Sequence, residues 1–119
     1  MQLSFTEEAV KFIKQKFGSI PPYILLDYLD GDSPYNDKAI GCQLYDDFRL
    51  IFFHELVPEV HWDFYDLTLS TELGNVVLKS KYTMFLDSHT TIDYAPNYLS
   101  LTMRGNSGIL VPRLSYLIK

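Results

Sequence analysis

The chain has few cysteines, few basic residues and no long apolar run. Its 119 residues include one cysteine, Cys42, so no disulfide can form within the chain, and a reducing, cytoplasmic location is expected. Ten basic and 15 acidic side chains give a formal charge of −5, which works against binding a phosphate backbone. No apolar stretch approaches the roughly 20 residues that span a bilayer, and no secretory signal opens the chain. We therefore expect no binding to nucleic acid or membrane.

The short motifs that usually carry catalysis are also missing. The sequence has no glycine-rich phosphate loop, no G-x-S-x-G elbow, no H-E-x-x-H and no C-x-x-C. An active site would have to be assembled from scattered residues. We therefore predict that the protein is not an enzyme.

Aromatic residues, in contrast, are abundant, with nine Tyr, eight Phe and one Trp. Such side chains favour strands. Helical spacing of apolar residues, with Thr6 as N-cap and Gly18 as the stop, predicts a helix over residues 7–17. A second, short helix is predicted over residues 79–86. Strands are predicted at 23–28, 39–44, 49–57, 64–70, 76–78, 91–94 and 98–103, with a further candidate at 110–118. The order predicts one α+β domain, residues 1–119, with mainly antiparallel, sandwich-like sheets.

Three places hold residues able to bind a metal or move a proton. Cys42 follows a glycine and is either a small buried apolar residue or a thiolate ligand. The group His54, Glu55, Glu59, His61 and Asp63 is the densest in metal-binding residue types, but it lacks a zinc spacing and is more typical of a solvated loop.

His89 lies between two acidic residues, Asp87 and Asp93. Neighbouring carboxylates raise the pKa of a histidine, although a hydrogen-bonded loop histidine accounts for the same pattern. Asp93 precedes a proline-containing turn, where aspartate commonly caps backbone amides. We therefore predict a structural role for Asp93.

Two segments resemble a known family. The run FLDSHTTIDY, Phe85–Tyr94, and the following YLSLTMRGN, Tyr98–Asn106, are similar to the closing half of the HesB-like domain, the fold of A-type iron–sulfur cluster carriers. The opening LSFTEEAV, Leu3–Val10, resembles the strand-to-helix step at the start of that domain. The resemblance implies a HesB-like fold, a role in iron–sulfur cluster biogenesis and partners among the cluster-assembly proteins.

The ligand set of this chain departs from the pattern of that family. The carriers use three cysteines, of which Cys42 resembles the first, but Asn106 is followed by Ser107-Gly108-Ile109 instead of Cys-Gly-Cys. Iron–sulfur clusters generally need four ligands, mostly thiolates; one chain supplies one, and a symmetric dimer supplies two. The resemblance thus implies a cysteine-poor accessory protein or degenerate carrier, with Cys42 as the candidate metal ligand. The resemblance implies iron or an iron–sulfur cluster as the cofactor. The chain has too few cysteines for the usual ligand set, so the cofactor stays unassigned.

Two other functions remain open at this stage. The aromatic residues suit a non-enzymatic protein–protein interaction domain, in which the tail Leu110–Ile118 would pair with another chain in a homodimer. They also suit a small-molecule binder with an aromatic-lined pocket between the sheets. The partner and the oligomeric state do not follow from the sequence.

Overall fold

The structure, a computed structural model, describes residues 1–29, 33–34 and 48–119. The elements of this part are β1 (Gln2–Phe5), α1 (Glu7–Phe17), β2 (Tyr23–Tyr28), β3 (Phe48–Phe53), a first 3-10 helix (Trp62–Phe64), β4 (Leu67–Thr71), β5 (Gly74–Leu78), a second 3-10 helix (Ser80–Phe85), β6 (His89–Ala95), β7 (Ser100–Gly105) and β8 (Gly108–Ile118). The strand predicted at residues 39–44 and the candidate ligand Cys42 lie outside the described residues.

Helix α1 begins and ends where its local sequence predicts. The Thr6 side chain accepts a hydrogen bond from the Ala9 amide, and Gly18 follows the helix with φ +94. This left-handed conformation is favourable for glycine, and it lets the Gly18 amide bond the Lys14 carbonyl. The predicted helix over residues 7–17 is therefore confirmed.

The described strands form one mixed sheet in the order β1-β6-β7-β8-β3-β2-β5-β4. Neighbours β2–β3, β4–β5, β6–β7 and β7–β8 are antiparallel, whereas β1–β6, β2–β5 and β3–β8 are parallel. Strand β8 links the two halves, because Leu114 pairs with β7 and Ser115 with β3. The predicted tail strand thus finds its partners within its own chain. The sheet curls nearly closed, and the α+β, mainly antiparallel fold class is confirmed.

Two apolar clusters lie on opposite faces of β2 and β3. The larger cluster, inside the curled sheet, takes Ile24, Leu26, Leu50 and Phe52 from these strands. The smaller one takes the alternate residues Leu25, Ile51 and Phe53, which pack against Val60 and Tyr65. Because successive side chains of a strand point to opposite faces, a strand buried on both faces is apolar throughout. The apolar character of the β3 sequence therefore reflects its burial on both faces.

The remaining predictions differ from the structure mainly at their ends. Strand β3 stops at Phe53, short of the predicted residue 57, and His54, Glu55 and Leu56 are exposed. The later helix is a 3-10 helix over Ser80–Phe85. Among the described residues, no helix has the length and apolar character needed to cross a bilayer.

Candidate functional site

The two segments that resemble the HesB-like domain lie side by side in the structure. Strand β1 pairs in parallel with β6, so that Leu3 lies opposite Thr90 and Phe5 opposite Ile92. The Thr6 amide continues the contact by bonding the Ile92 carbonyl at 2.9 Å. Residues far apart in sequence are therefore joined at the start of α1.

Asp93 is the polar centre of this junction. Its carboxylate accepts hydrogen bonds from the Thr6 hydroxyl at 2.6 Å, from the Arg104 guanidinium at 2.6 Å and from the Tyr94 amide at 2.8 Å. Partial burial raises the pKa of Asp93, but the bonds from Thr6 and Arg104 outweigh it, and the pKa lies below its ordinary value. The predicted backbone contact of Asp93 is present, and it also joins β6 to α1 and β7.

A second carboxylate, Asp87, holds the turn between β7 and β8. Asp87 Oδ2 accepts the Asn106 amide at 2.6 Å, and the Asn106 side chain donates to Ser88 Oγ at 3.2 Å. A Cβ atom added to Gly105 would lie 1.9 Å from Asp87 Oδ2, so a side chain there would displace the carboxylate. We call residues 105–108 the hairpin tip; it is fastened to the segment that precedes β6.

The hairpin tip is where the resemblance places the family's paired cysteines. Here Ser107 and Gly108 follow Asn106, and Gly108 has φ +143. His89 is the histidine nearest to the hairpin tip in the sequence. Its imidazole is exposed, and its Nε2 lies 3.2 Å from Ser4 Oγ. Hydroxyl and amide groups do not replace thiolates as cluster ligands. These donors therefore do not fit an iron–sulfur cluster held in the manner of the A-type carriers.

The metal-binding residue types of segment 54–63 do not gather into one group in the described structure. The imidazoles of this segment contact aromatic rings: His54 stacks on Phe17 with ring centroids 4.2 Å apart, and His61 lies 5.2 Å from Phe64. Within the described ranges, no three His, Cys, Asp or Glu residues are grouped so that they could hold a metal ion. The solvated-loop interpretation agrees with this arrangement.

A set of buried polar residues that was not predicted from the sequence lies on the face of the smaller apolar cluster. This buried polar cluster consists of Asp27, Arg49, Tyr65 and Lys79, all less than a tenth exposed. Asp27 of β2 lies directly opposite Arg49 of β3, with 3.5 Å between Asp27 Oδ2 and Arg49 Nε. The Tyr65 hydroxyl donates to Asp27 Oδ1 at 3.0 Å, and Arg49 Nη2 donates to the Pro34 carbonyl.

The enclosure of Asp27 governs its ionisation. Burial raises the pKa of Asp27 above its ordinary value, although the Tyr65 hydrogen bond and the charges of Arg49 and Lys79 oppose the change. A raised carboxyl pKa in a cleft is typical of a general acid or base. Asp27, however, has no exposed surface, and its interactions hold β2, β3 and the segment around Tyr65 together.

One signal in the sequence pointed to this pair. Asp27 is the one charged residue in the apolar run YILLDY, and Arg49 is the one charged residue in FRLIFF. A single charge inside a strand that is buried on both faces needs a partner, and here the two charges are opposite in sign. The register between the strands, which places them side by side, was not visible in the sequence.

Lys79 also borders a surface pocket of about 330 Å³ whose other lining residues include Asp63, Asp66 and Lys81. The carboxylate of Asp66 accepts bonds from the amide of Ser80 at 2.9 Å and from its hydroxyl at 2.7 Å. These bonds lower the pKa of Asp66. Since the described lining has as many acidic as basic side chains, it favours neither anions nor cations.

Comparison with known proteins agrees with this geometry. Two solved structures share the fold. The first is a candidate Fe-S biosynthesis protein from Lactobacillus salivarius, whose fold was described as novel; it has a TM-score of 0.79 and 23% identity, and the match covers 99% of this chain and 98% of that chain. The second is a candidate Fe-S biosynthesis protein from Lactobacillus acidophilus, with a TM-score of 0.70, 18% identity and coverage of 99% of this chain and 90% of that chain. No curated protein matches the sequence. The family model described as iron-sulphur cluster biosynthesis matches residues 1–117. The chain therefore belongs to the iron-sulphur cluster biosynthesis family, of which it is a member with one cysteine.

Proposed function

We propose that this protein assists iron–sulfur cluster biosynthesis through contacts with other proteins and does not carry a cluster of its own. The observation behind the proposal is the hairpin tip, where Ser107 and Gly108 stand in place of the cysteine pair implied by the resemblance. The chain has the fold of the family, and its hairpin tip is held by the bond between Asp87 and the Asn106 amide. With one cysteine in the chain, a mostly thiolate ligand set cannot be completed.

In this role the cluster is cargo of other proteins, and the chain performs no catalytic step. The carboxylate with a raised pKa, Asp27, is enclosed, which supports a structural role. Partners among the assembly proteins follow from the family. A cytoplasmic location remains a prediction from the sequence.

Metal content tests the absence of a cluster. Protein purified without oxygen, before and after incubation with iron and sulfide, should contain far less than one equivalent of either, and Cys42→Ser should match the wild type. Stoichiometric iron and sulfide in the wild type, lost in Cys42→Ser, would instead establish a carrier that uses this thiolate.

Cluster transfer tests the role itself. The rate of transfer from a loaded assembly protein to an apo-ferredoxin, followed by visible circular dichroism, should change when this protein is added. Cys42→Ser should act like the wild type, because the proposed role needs no thiolate. If the rate stays constant at every ratio of added protein, the assisting role is wrong.

A further inference from the structure

A groove lies between helix α1 and strands β6, β7 and β8, away from the hairpin tip. Its volume is about 520 Å³, within the range of sites that hold small molecules or a few side chains. Phe12 of α1, Tyr94 of β6 and Tyr116 of β8 contribute to its lining.

These three aromatic rings form a continuous apolar floor. Phe12 stacks on Tyr94 with ring centroids 4.7 Å apart, and it meets Tyr116 edge-on at 5.8 Å. All three side chains are partly exposed, so part of this surface faces the groove. A planar or branched apolar group would bury it favourably.

Two cations stand beside the floor. The Lys16 ammonium lies 5.5 Å from the centroid of Phe12, and the Arg113 guanidinium lies 5.4 Å from the centroid of Tyr98. Neither is among the residues that form a salt bridge in the described structure. None of the described lining residues is acidic, in a chain whose formal charge is −5. The groove is therefore a local site for negative charge on an acidic protein.

The rim of the groove includes one apolar side chain, Leu99, that is exposed instead of packed in the core. Leu99 lines the groove, is 76% exposed and has φ 50; it is the one non-glycine residue with positive φ in the described part of the chain. The amides of Tyr98 and Leu99 bond the carbonyls of Ala95 and Pro96, which hold the turn in this form. Strained backbone of this kind concentrates at binding sites.

From this arrangement we infer that the groove binds an acidic segment of a protein partner, with one aromatic or branched apolar side chain against Phe12 and Tyr94. Carboxylates on either side of that anchor would meet Lys16 and Arg113. The inference rests on the proposed function to the extent that it assumes a protein partner. Nucleic acid is disfavoured, because two cations on a chain of charge −5 do not form the basic patch that a phosphate backbone needs.

Fluorescence anisotropy tests the inference with a short labelled peptide in which glutamates surround one tryptophan. The wild type should bind it, with an affinity that falls as salt is added. Lys16→Ala and Arg113→Ala should each weaken binding about three- to fivefold, and Lys16→Glu with Arg113→Glu should abolish it. The matched control is Lys14→Ala, which removes the same charge from an exposed position of α1 that is not among the described lining of the groove, and it should leave the affinity unchanged.

Variant peptides separate the two parts of the site. Glutamine in place of glutamate removes the charges, serine in place of tryptophan removes the anchor, and both peptides should bind more weakly. Equal binding to wild type and the double variant, or preference for a lysine peptide, would overturn the inference.

Two other outcomes would also overturn the inference, because each would identify a different occupant of the groove. Indole-3-acetate that binds the groove as tightly as the peptide would indicate a small-molecule site. A dimer of the wild type that Arg113→Glu dissociates would indicate a second copy of this chain. Neither result depends on the transfer assay, so the groove and the assisting role can fail separately.

Discussion

At the scale of single residues, the most consequential feature is the ion pair between Asp27 and Arg49. Two charged groups are removed from water with 3.5 Å between Asp27 Oδ2 and Arg49 Nε. Their attraction and the Tyr65 hydrogen bond offset only part of the desolvation cost, since the pKa of Asp27 remains raised. The pair thus specifies how β2 and β3 align, since a one-residue slip would leave both charges buried without a partner.

Arg49→Met should therefore lower the free energy of unfolding by about 3–5 kcal/mol at neutral pH. The loss should shrink on acidification. Removing the cation raises the already elevated pKa of Asp27, so the folded state of the variant binds a proton more readily than the unfolded state does. Stability then increases as pH falls from the folded pKa of Asp27 toward its unfolded value. Urea unfolding at several pH values measures this.

Two further variants identify the cause of that change. Arg49→Lys keeps the positive charge and should retain a pH dependence close to that of the wild type. Asp27→Asn combined with Arg49→Met removes both charges and should cost less than Arg49→Met alone. An Arg49→Met loss that is the same at neutral and acidic pH would show that Asp27 ionisation is not involved.

At the scale of elements, carboxylates fasten pieces that are distant in the chain. Asp93 connects α1, β6 and β7, and Asp87 connects the start of β6 to the hairpin tip. Gly105 makes the second connection possible because it has no Cβ atom to meet Asp87. The run that resembles the HesB-like domain therefore contains structural contacts that persist without the cysteine pair.

Gly105→Ala should displace the Asp87 carboxylate and break its bond to the Asn106 amide, at a cost of about 1–3 kcal/mol. A double-mutant cycle with Asp87→Ala gives the direct test, measured by thermal or urea unfolding. In the Asp87→Ala background the bond is already absent and the two closest atoms are gone, leaving the Cβ atom of residue 87 at 3.0 Å, so Gly105→Ala should cost clearly less. Equal costs in the two backgrounds would mean that the contact between these residues does not matter.

At the scale of the whole molecule, the sheet comes close to forming a barrel. The unpaired edge of β1 faces the turn between β4 and β5, and Glu72 in that turn accepts the Phe5 amide at 2.8 Å. An open strand edge presents unpaired amides to other chains. Glu72 therefore covers part of the edge and joins the two ends of the sheet.

Glu72→Ala should remove about 1 kcal/mol of stability and increase the hydrogen-exchange rate of the Phe5 amide, measured by NMR. Glu55→Ala removes the same charge from an exposed position and is the matched control; Phe5 exchange should not change in it. If both variants exchange alike at Phe5, the Glu72 contact does not close the sheet in solution.

The fold could be predicted from the sequence to the extent that its elements depend on near neighbours. Thr6 and Gly18 determine the ends of α1, and the apolar run FRLIFF predicts the strand that forms β3. The end of β3 at Phe53 could not be predicted from the sequence. The residues that follow, His54–Leu56, include both polar and apolar types, and their exposure depends on which parts of the chain pack against them. The tail strand was predicted too. Its pairing with β7 and β3 was not, because the order of strands in the sheet depends on the tertiary structure.

The sequence by itself determined the local elements, the family and the shortage of thiolates, because caps and periodicity act over a few residues and no fold can add a cysteine. Only the tertiary structure decided which polar groups meet. Strand register and the packing of α1 on the sheet bring together pairs of residues that are far apart in the chain. These pairs are Asp27 and Arg49, Asp87 and Asn106, and Lys16 and Arg113. Which of these groups lie together depends on distances in space, which a single sequence does not contain.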